Sequence, residues 1–414
     1  MILRARVVLP ISQPPIEDGA ILITGNRILK VGRWKDFSNS AGEAVIDLGE
    51  AILMPGLINA HCHLDYTDMA GLIPPQKSFT DWIRLMLSTK AGWNYSEYAE
   101  SWIDGAKMLL RTGTTTVADF EAVPELLPDV WSATPLRVIS LLEMTGVKSR
   151  RDPRVILQDT IEHIRTLPGG RCRPGLGPHA PYSTVPELLR LAADTSRKRH
   201  WPLSIHAAES MQEFEMYTNG RGIMFDWLKR NGRDMSDTGS SSPLQYLDRM
   251  GVLGENCLAV HVNYLADGDA RLLAARNASV VHCPRSHFYF KHEKFPLSRF
   301  TKAKVNVCLG TDSLATVYKR PKHAVELNLF TEMQTFAANQ PQVSPEKILQ
   351  MATINGARAL GMTEACGEIS ENALADIIAI PFEGKLRDAN EAAVHHSGNV
   401  TGSMIDGDWA VEPK

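Results

Sequence analysis

The sequence predicts an α/β chain in which a (β/α)8 barrel of the TIM type is inserted into a small β-sandwich formed by both chain termini. Three observations predict it. The chain has 414 residues, enough for a large barrel and a smaller domain. Both ends read as short strands broken by turns, whereas the middle alternates strands with helices. Eight β-rich runs recur through the middle, with helical stretches between several of them. The expected boundaries are 1–54 and 366–414 for the sandwich and 55–365 for the barrel.

The N-terminal part contains Ala20-Ile21-Leu22-Ile23, then Gly25-Asn26, then residues 27–32, which is hairpin chemistry around a Gly-Asn turn. Residues 375–380 form a strand near the other end, and 403–411 form a hairpin around Asp406-Gly407. Joining two β-rich ends into one sandwich is the economical arrangement. The first barrel strand ends at His61. The others are residues 114–120, 136–142, 175–179, 203–206, 257–261, 278–283 and 305–312. A helix is expected from 185 to 197, with Leu188, Leu189 and Leu191 on its apolar side.

Bulk properties exclude several classes. Hydrophobic residues make up 44% and charged residues 22%, as in an ordinary globular protein. A net charge of -3 and scattered aromatics give no footprint for nucleic acid or an anionic membrane. Six cysteines without a CxxC pair argue against a disulfide framework and for a reducing compartment. The first residues lack the apolar stretch of a signal peptide, and no window approaches a membrane span. A cytoplasmic location is expected, and a homodimer is left open.

The chemistry collects at strand ends. His61 and His63 are two apart on a strand, so both imidazoles point the same way, which is half of a metal site. Six strands end in a residue that binds metal or moves protons: His61/His63, His179, His206, His261, His282 and Asp312. In a barrel these ends open on one face, where active sites sit. Three imidazoles from His61, His63 and His206, with the Asp312 carboxylate and no thiolate, suit one divalent zinc or iron ion and leave a position for water. Cys62 points to the opposite face and reads as a packed thiol. Glu209, three residues past His206, lies too far along to ligate but is well placed as a proton carrier, as in zinc deaminases.

These residues carry a resemblance to the amidohydrolase superfamily, within it the aminohydrolase and chlorohydrolase branch. It runs through residues 54–63, Arg111-Thr112-Gly113-Thr114, Pro178-His179-Ala180-Pro181, His206-Ala207-Ala208-Glu209, Val260-His261, His282-Cys283-Pro284 and Gly310-Thr311-Asp312-Ser313. Gly367-Glu368-Ile369 and Ala375-Asp376 match the second sandwich segment. The resemblance implies a mononuclear metal on His61, His63, His206 and Asp312, with His261 touching the metal-bound water. Two-metal members carry a carboxylated Lys after strand four, where this chain has His179 instead, which favours one metal. The activity implied is hydrolytic deamination of a ring carbon: metal-activated water attacks, His261 and Asp312 orient it, Glu209 protonates the neighbouring ring nitrogen, and Asp312 relays a proton to the leaving amine.

Substrate contacts are less constrained. Ser78-Phe79-Thr80-Asp81-Trp82 resembles a segment of nucleoside deaminases in the branch, so Phe79 and Trp82 either wall a purine or pack a helix. His179 resembles a substrate contact. Where the branch often has Asn, this chain has His287, and Arg285 adds a cation suited to an anionic substrate group. The combination resembles deaminases of 6-aminodeoxyfutalosine, an adenine nucleoside carrying a benzoate and used in menaquinone biosynthesis. Methylthioadenosine/S-adenosylhomocysteine deaminases, guanine or triazine aminohydrolases and chlorohydrolases are the alternatives. A catalytically silent barrel acting as a binding protein is the alternative from another class.

Overall fold

A computed structural model describes residues 1–37, 42–147, 151–319 and 324–413. Eight parallel strands form the barrel in sequence order: Leu57–Cys62, Thr114–Glu121, Arg137–Met144, Arg173–Pro178, Leu203–Ala207, Cys257–His261, Ser279–His282 and Val307–Leu309. Each pairs in parallel with the next. The last closes on the first through backbone bonds. Thr311 and Asp312 donate their N–H groups to the His61 carbonyl at 3.0 and 3.1 Å, and His63 donates to the Asp312 carbonyl at 3.4 Å. Gly310 permits that approach, because a Cβ there would stand 2.8 Å from the His61 carbonyl oxygen.

The barrel interior is filled by alternate residues, as the period of two along a strand requires. Ile58, Ala60, Ala118, Phe120, Ile139, Leu141, Leu258, Val260, Val281, Cys283 and Cys308 form one buried cluster. Leu57, Cys62, Leu64, Val117, Val138 and Leu309 belong to the layer that meets the helices. Polar side chains cap helices where the sequence offers them. Ser78 accepts from Asp81 N ahead of Phe79–Lys90, and Asn94 with Glu97 forms a capping box ahead of Tyr95–Arg111. The helix expected from 185 runs Pro186–Arg199. No helix among the described residues is long and apolar enough to cross a membrane.

The termini build a second sheet in the order Asp408–Val411, Gly402–Ile405, Ile377–Pro381, Ala51–Pro55, Ile2–Val8, Ile16–Thr24, Arg27–Arg33, with Val45–Asp47 beside Ile2–Val8. The two ends meet where Ile377–Pro381 pairs antiparallel with Ala51–Pro55. Both expected hairpins form. The second turns at Asp406 and Gly407, with φ of 53° and 86°. Gly56 alone separates Ala51–Pro55 from the first barrel strand, and a Cβ there would lie 2.0 Å from Thr115 Oγ1.

A buried ion cluster joins this sheet to the barrel. Arg137, at the start of the third barrel strand, donates to Asp376 at 3.2 Å and to Asp406 at 2.7 Å, and Asp406 N donates to Asp376 Oδ1 at 2.8 Å. Removing the cation leaves Asp376 buried without its counter-charge. Arg137→Met is therefore expected to destabilise the protein by about 3–5 kcal/mol in denaturant titrations. A change below about 1 kcal/mol would show that the cluster contributes little.

Candidate metal centre and active site

The C-terminal strand ends bring His61, His63, His206, His261 and Asp312 together. Single ligand atoms of His61, His63 and His206 lie within 4.8 Å of one another, as do those of His61, His261 and Asp312. His61 Nε2 and His63 Nε2 stand 3.7 and 3.8 Å from Asp312 Oδ1. Phe120 forms the floor, its ring 4.8 Å from that of His206, 5.5 Å from His63 and 6.0 Å from His61.

Strand alternation explains only part of this convergence. His206 and Asp312 fall on the interior parity of their strands. His61 does not, since it follows interior Ala60. A register shift between Asn59 and Cys62 turns it inward and leaves Cys62 packed in the outer layer, as expected of a structural thiol. His261 follows interior Val260 and is turned by a left-handed backbone, φ 72°, with Val262 at 45° beside it. His282 has no such device. Val281 and Cys283 face the interior, so His282 faces outward and stacks on Phe295 at 3.7 Å. Of the six strand ends singled out in the sequence, four supply this group, His179 lines the cavity beside it, and His282 does neither.

The donors fit a cation. His206 donates Nδ1–H to the His179 carbonyl at 2.8 Å, which leaves a lone pair on its Nε2. That atom stands 3.3 Å from His63 Nε2. His61 Nε2 is buried with no hydrogen-bond partner. Such facing nitrogens need a positive centre between them, and nitrogen and carboxylate donors without thiolate suit zinc or iron. These residues could hold one divalent metal.

Burial sets the protonation states. It pushes His63 and His206 well below the ordinary histidine range, reinforced by the crowding of imidazoles around them. It pushes His261 down to about 3, against the opposing pull of Asp312. Burial would raise Asp312, but the nearby His61 and the other surrounding imidazoles outweigh it and lower the carboxyl. Asp312 Oδ2 also accepts from the Thr316 hydroxyl at 3.1 Å. Glu209 goes the other way. Burial first, then the charges of Asp312 and Glu213, raise it well above the carboxylate range. Its carboxyl stands 3.5 Å from His261 Nε2, and burial favours its protonated form.

The centre opens into a cavity of about 820 Å³. Phe79, Trp82 and His179 line it, together with Glu209, His261 and Asp312. Phe79 and Trp82 stack at 5.9 Å, so they are at once helix packing and cavity wall. His179 pairs its Nδ1 with the Ser183 hydroxyl at 2.6 Å.

Arg285 is a correction. It does not line this cavity. Its guanidinium pairs with fully buried Glu332 and donates to the Glu326 carbonyl at 2.9 Å, because Pro284–Tyr289 packs against Leu329–Asn339. His287 is likewise turned away. It donates Nδ1–H to Asn263 at 2.9 Å and lines a second cavity. Sequence reasoning missed Tyr66, Lys90 and Glu143, which do line the main cavity. Lys90 closes its helix and Glu143 is the last residue but one of a strand, and neither position carries a motif.

Comparison with known proteins follows the geometry. The pattern of the amidohydrolase family matches residues 52–410. A protein of Nitratidesulfovibrio vulgaris named 5-methylthioadenosine/S-adenosylhomocysteine deaminase is 30% identical over 378 residues, covering 88% of this chain and 79% of that one. The crystal structure of Helicobacter pylori aminofutalosine deaminase in complex with methylthio-coformycin superposes with a TM-score of 0.86 at 21% identity, covering 99% of both chains. An adenosine deaminase from Xanthomonas campestris with bound zinc superposes at 0.81 and 23% identity, covering 99% of this chain and 92% of that one. At those identities the two structures speak for the fold alone. The match across the barrel and the C-terminal strands of the second sheet shows that the chain belongs to the amidohydrolase family.

Proposed function

We propose that this chain is a metal-dependent aminohydrolase that cleaves the exocyclic C–N bond of an aminopurine nucleoside and releases ammonia, with 6-aminodeoxyfutalosine as its substrate. The observation that carries the reading is Glu209, a buried carboxyl 3.5 Å from His261 at the edge of an imidazole cluster, facing a cavity with room for a nucleoside. The names of the related deaminases support it.

In this reading His61, His63, His206 and Asp312 hold one ion, zinc in preference to ferrous iron. When bound, the ion supplies a water acidified from about 15.7 toward about 7. His261 and Asp312 orient that water against the ring carbon bearing the amine. Glu209 gives its proton to the adjacent ring nitrogen, so negative charge does not build up in the ring. Asp312 takes one proton of the attacking water and passes it to the amine; the C–N bond breaks as ammonia leaves, and the remaining hydroxyl proton returns to Glu209 as the ring carbonyl forms. Phe79 and Trp82 wall the base, and His179 faces it from the fourth strand.

Lys90 supports a substrate with an anionic tail. Its ammonium lies 4.8 Å from the Tyr66 ring centroid, lines the cavity, and forms no ion pair among the described residues. It takes the part that Arg285 was expected to play. A methylthioadenosine/S-adenosylhomocysteine deaminase is the second reading, favoured by the 30% identical relative.

Three outcomes are expected. Glu209→Gln should retain its metal and lose roughly 10²–10⁴ in kcat; a near wild-type rate would sink the assignment. Chelation should abolish ammonia release, and added zinc should restore it. Lys90→Ala should raise KM about tenfold for aminodeoxyfutalosine and leave methylthioadenosine unchanged, as loss of one charge-assisted contact predicts. Activity on methylthioadenosine but not on aminodeoxyfutalosine in the wild type would select the second reading.

A further inference from the structure

We propose that Glu213 is a positioning residue for the acid–base group: its carboxylate clamps the backbone of Ala208 and Glu209 and so fixes where the Glu209 side chain reaches. The proposal rests on the reading of Glu209 as the proton carrier.

The sequence Ser210-Met211-Gln212-Glu213 has the form of a capping box, with Ser210 as N-cap of the helix Met211–Asn219. Half of the box forms, since Glu213 N donates to Ser210 Oγ at 3.2 Å. The other half does not. Instead of returning to the Ser210 N–H, the Glu213 side chain reaches past it. Oε1 accepts from Ala208 N at 3.0 Å and Oε2 accepts from Glu209 N at 2.9 Å. Glu213 is fully buried.

The clamped dipeptide needs holding. Ala208 has φ 47°, a left-handed conformation that L-residues avoid. This kink lets the chain leave the fifth strand and bring Glu209 back over the metal centre. The opposite side is gripped as well. Asn263 N donates to Ala208 O at 3.0 Å, Asn263 Nδ2 donates to Glu209 O at 2.9 Å, and His287 holds Asn263 Oδ1 at 2.9 Å. All four backbone polar groups of residues 208 and 209 are therefore engaged. The same turn fastens the aromatic wall, because Gln212 Oε1 accepts from Thr80 N at 3.0 Å and from Thr80 Oγ1 at 2.7 Å, one residue from Phe79.

A carboxylate suits this position because two neighbouring N–H groups need two acceptors, and charge-assisted bonds are the stronger kind. Glutamine offers one acceptor and turns its NH2 toward the second N–H, leaving both donors unsatisfied. Aspartate keeps both acceptors but falls one methylene short.

The test combines amide hydrogen exchange with steady-state kinetics on wild type, Glu213→Gln and Glu213→Asp. In Glu213→Gln the amides of residues 208 and 209 should exchange faster, kcat should fall about a hundredfold as for a misplacement of about 1 Å, and KM and metal content should stay at wild-type values. Glu213→Asp should recover part of kcat. Unchanged exchange at 208–209, a wild-type kcat, or a loss confined to KM and metal content would overturn the proposal. Should Glu213→Gln fail to fold, the aspartate variant decides by the same measurements. If the wild type releases no ammonia from any aminopurine nucleoside, the functional reading fails, and the exchange comparison still decides the clamp.

Discussion

The site depends on the closure of the barrel between its last and first strands. Two N–H groups, from Thr311 and Asp312, share the carbonyl of His61, and His63 returns a bond to Asp312. Asn59 strengthens the same seam, accepting from Thr311 N at 3.1 Å and donating to Thr311 Oγ1 at 2.7 Å. Residues some 250 positions apart are thereby fixed within one hydrogen-bond length. The imidazoles of the first strand meet the carboxylate of the eighth only because this seam is shut. Gly310 makes the closure sterically possible, so a residue with no side chain governs the placement of residues that carry the chemistry.

Around that seam, the backbone is distorted at several strand exits where function is proposed. Ala208, His261, Val262 and Asp312 all have left-handed φ, between 45° and 72°, at the exits of the fifth, sixth and eighth strands. Such conformations are unfavourable for L-residues and persist only when their surroundings fix them. Here the fixing is visible: Val262 N bonds to Ala207 O, Asn263 grips residues 208 and 209, and Glu213 holds them from behind. The distortion turns side chains that regular strands would point elsewhere, His261 above all.

Burial then gives these groups their chemical character. Burial favours neutral imidazoles at His63 and His206, with lone pairs to donate, and in the same environment it pushes the Glu209 carboxyl up. One cause thus prepares opposite groups for complementary tasks. Asp312 escapes the trend because it lies among the imidazoles, and it stays a carboxylate.

The sequence by itself determined the barrel and the two β-rich ends that join, because strand and helix periodicities and turn residues are local properties. It also singled out His61, His63, His206, Glu209 and Asp312 as a set, because strand-end position and residue type are both readable along the chain. Tertiary structure alone decided which of the remaining candidates share that space. His282 and His261 are indistinguishable as strand-ending histidines, and a left-handed backbone at one of them separates their fates. Arg285 has the right charge beside a strand end, but helix packing commits it to Glu332, whereas Lys90, at an unremarkable helix terminus, lines the cavity. Glu213 sits in a capping-box pattern and reaches beyond it. In each case the deciding quantity is the direction of a side chain in a crowded space, set by packing partners distant in sequence, and that is information no local pattern contains.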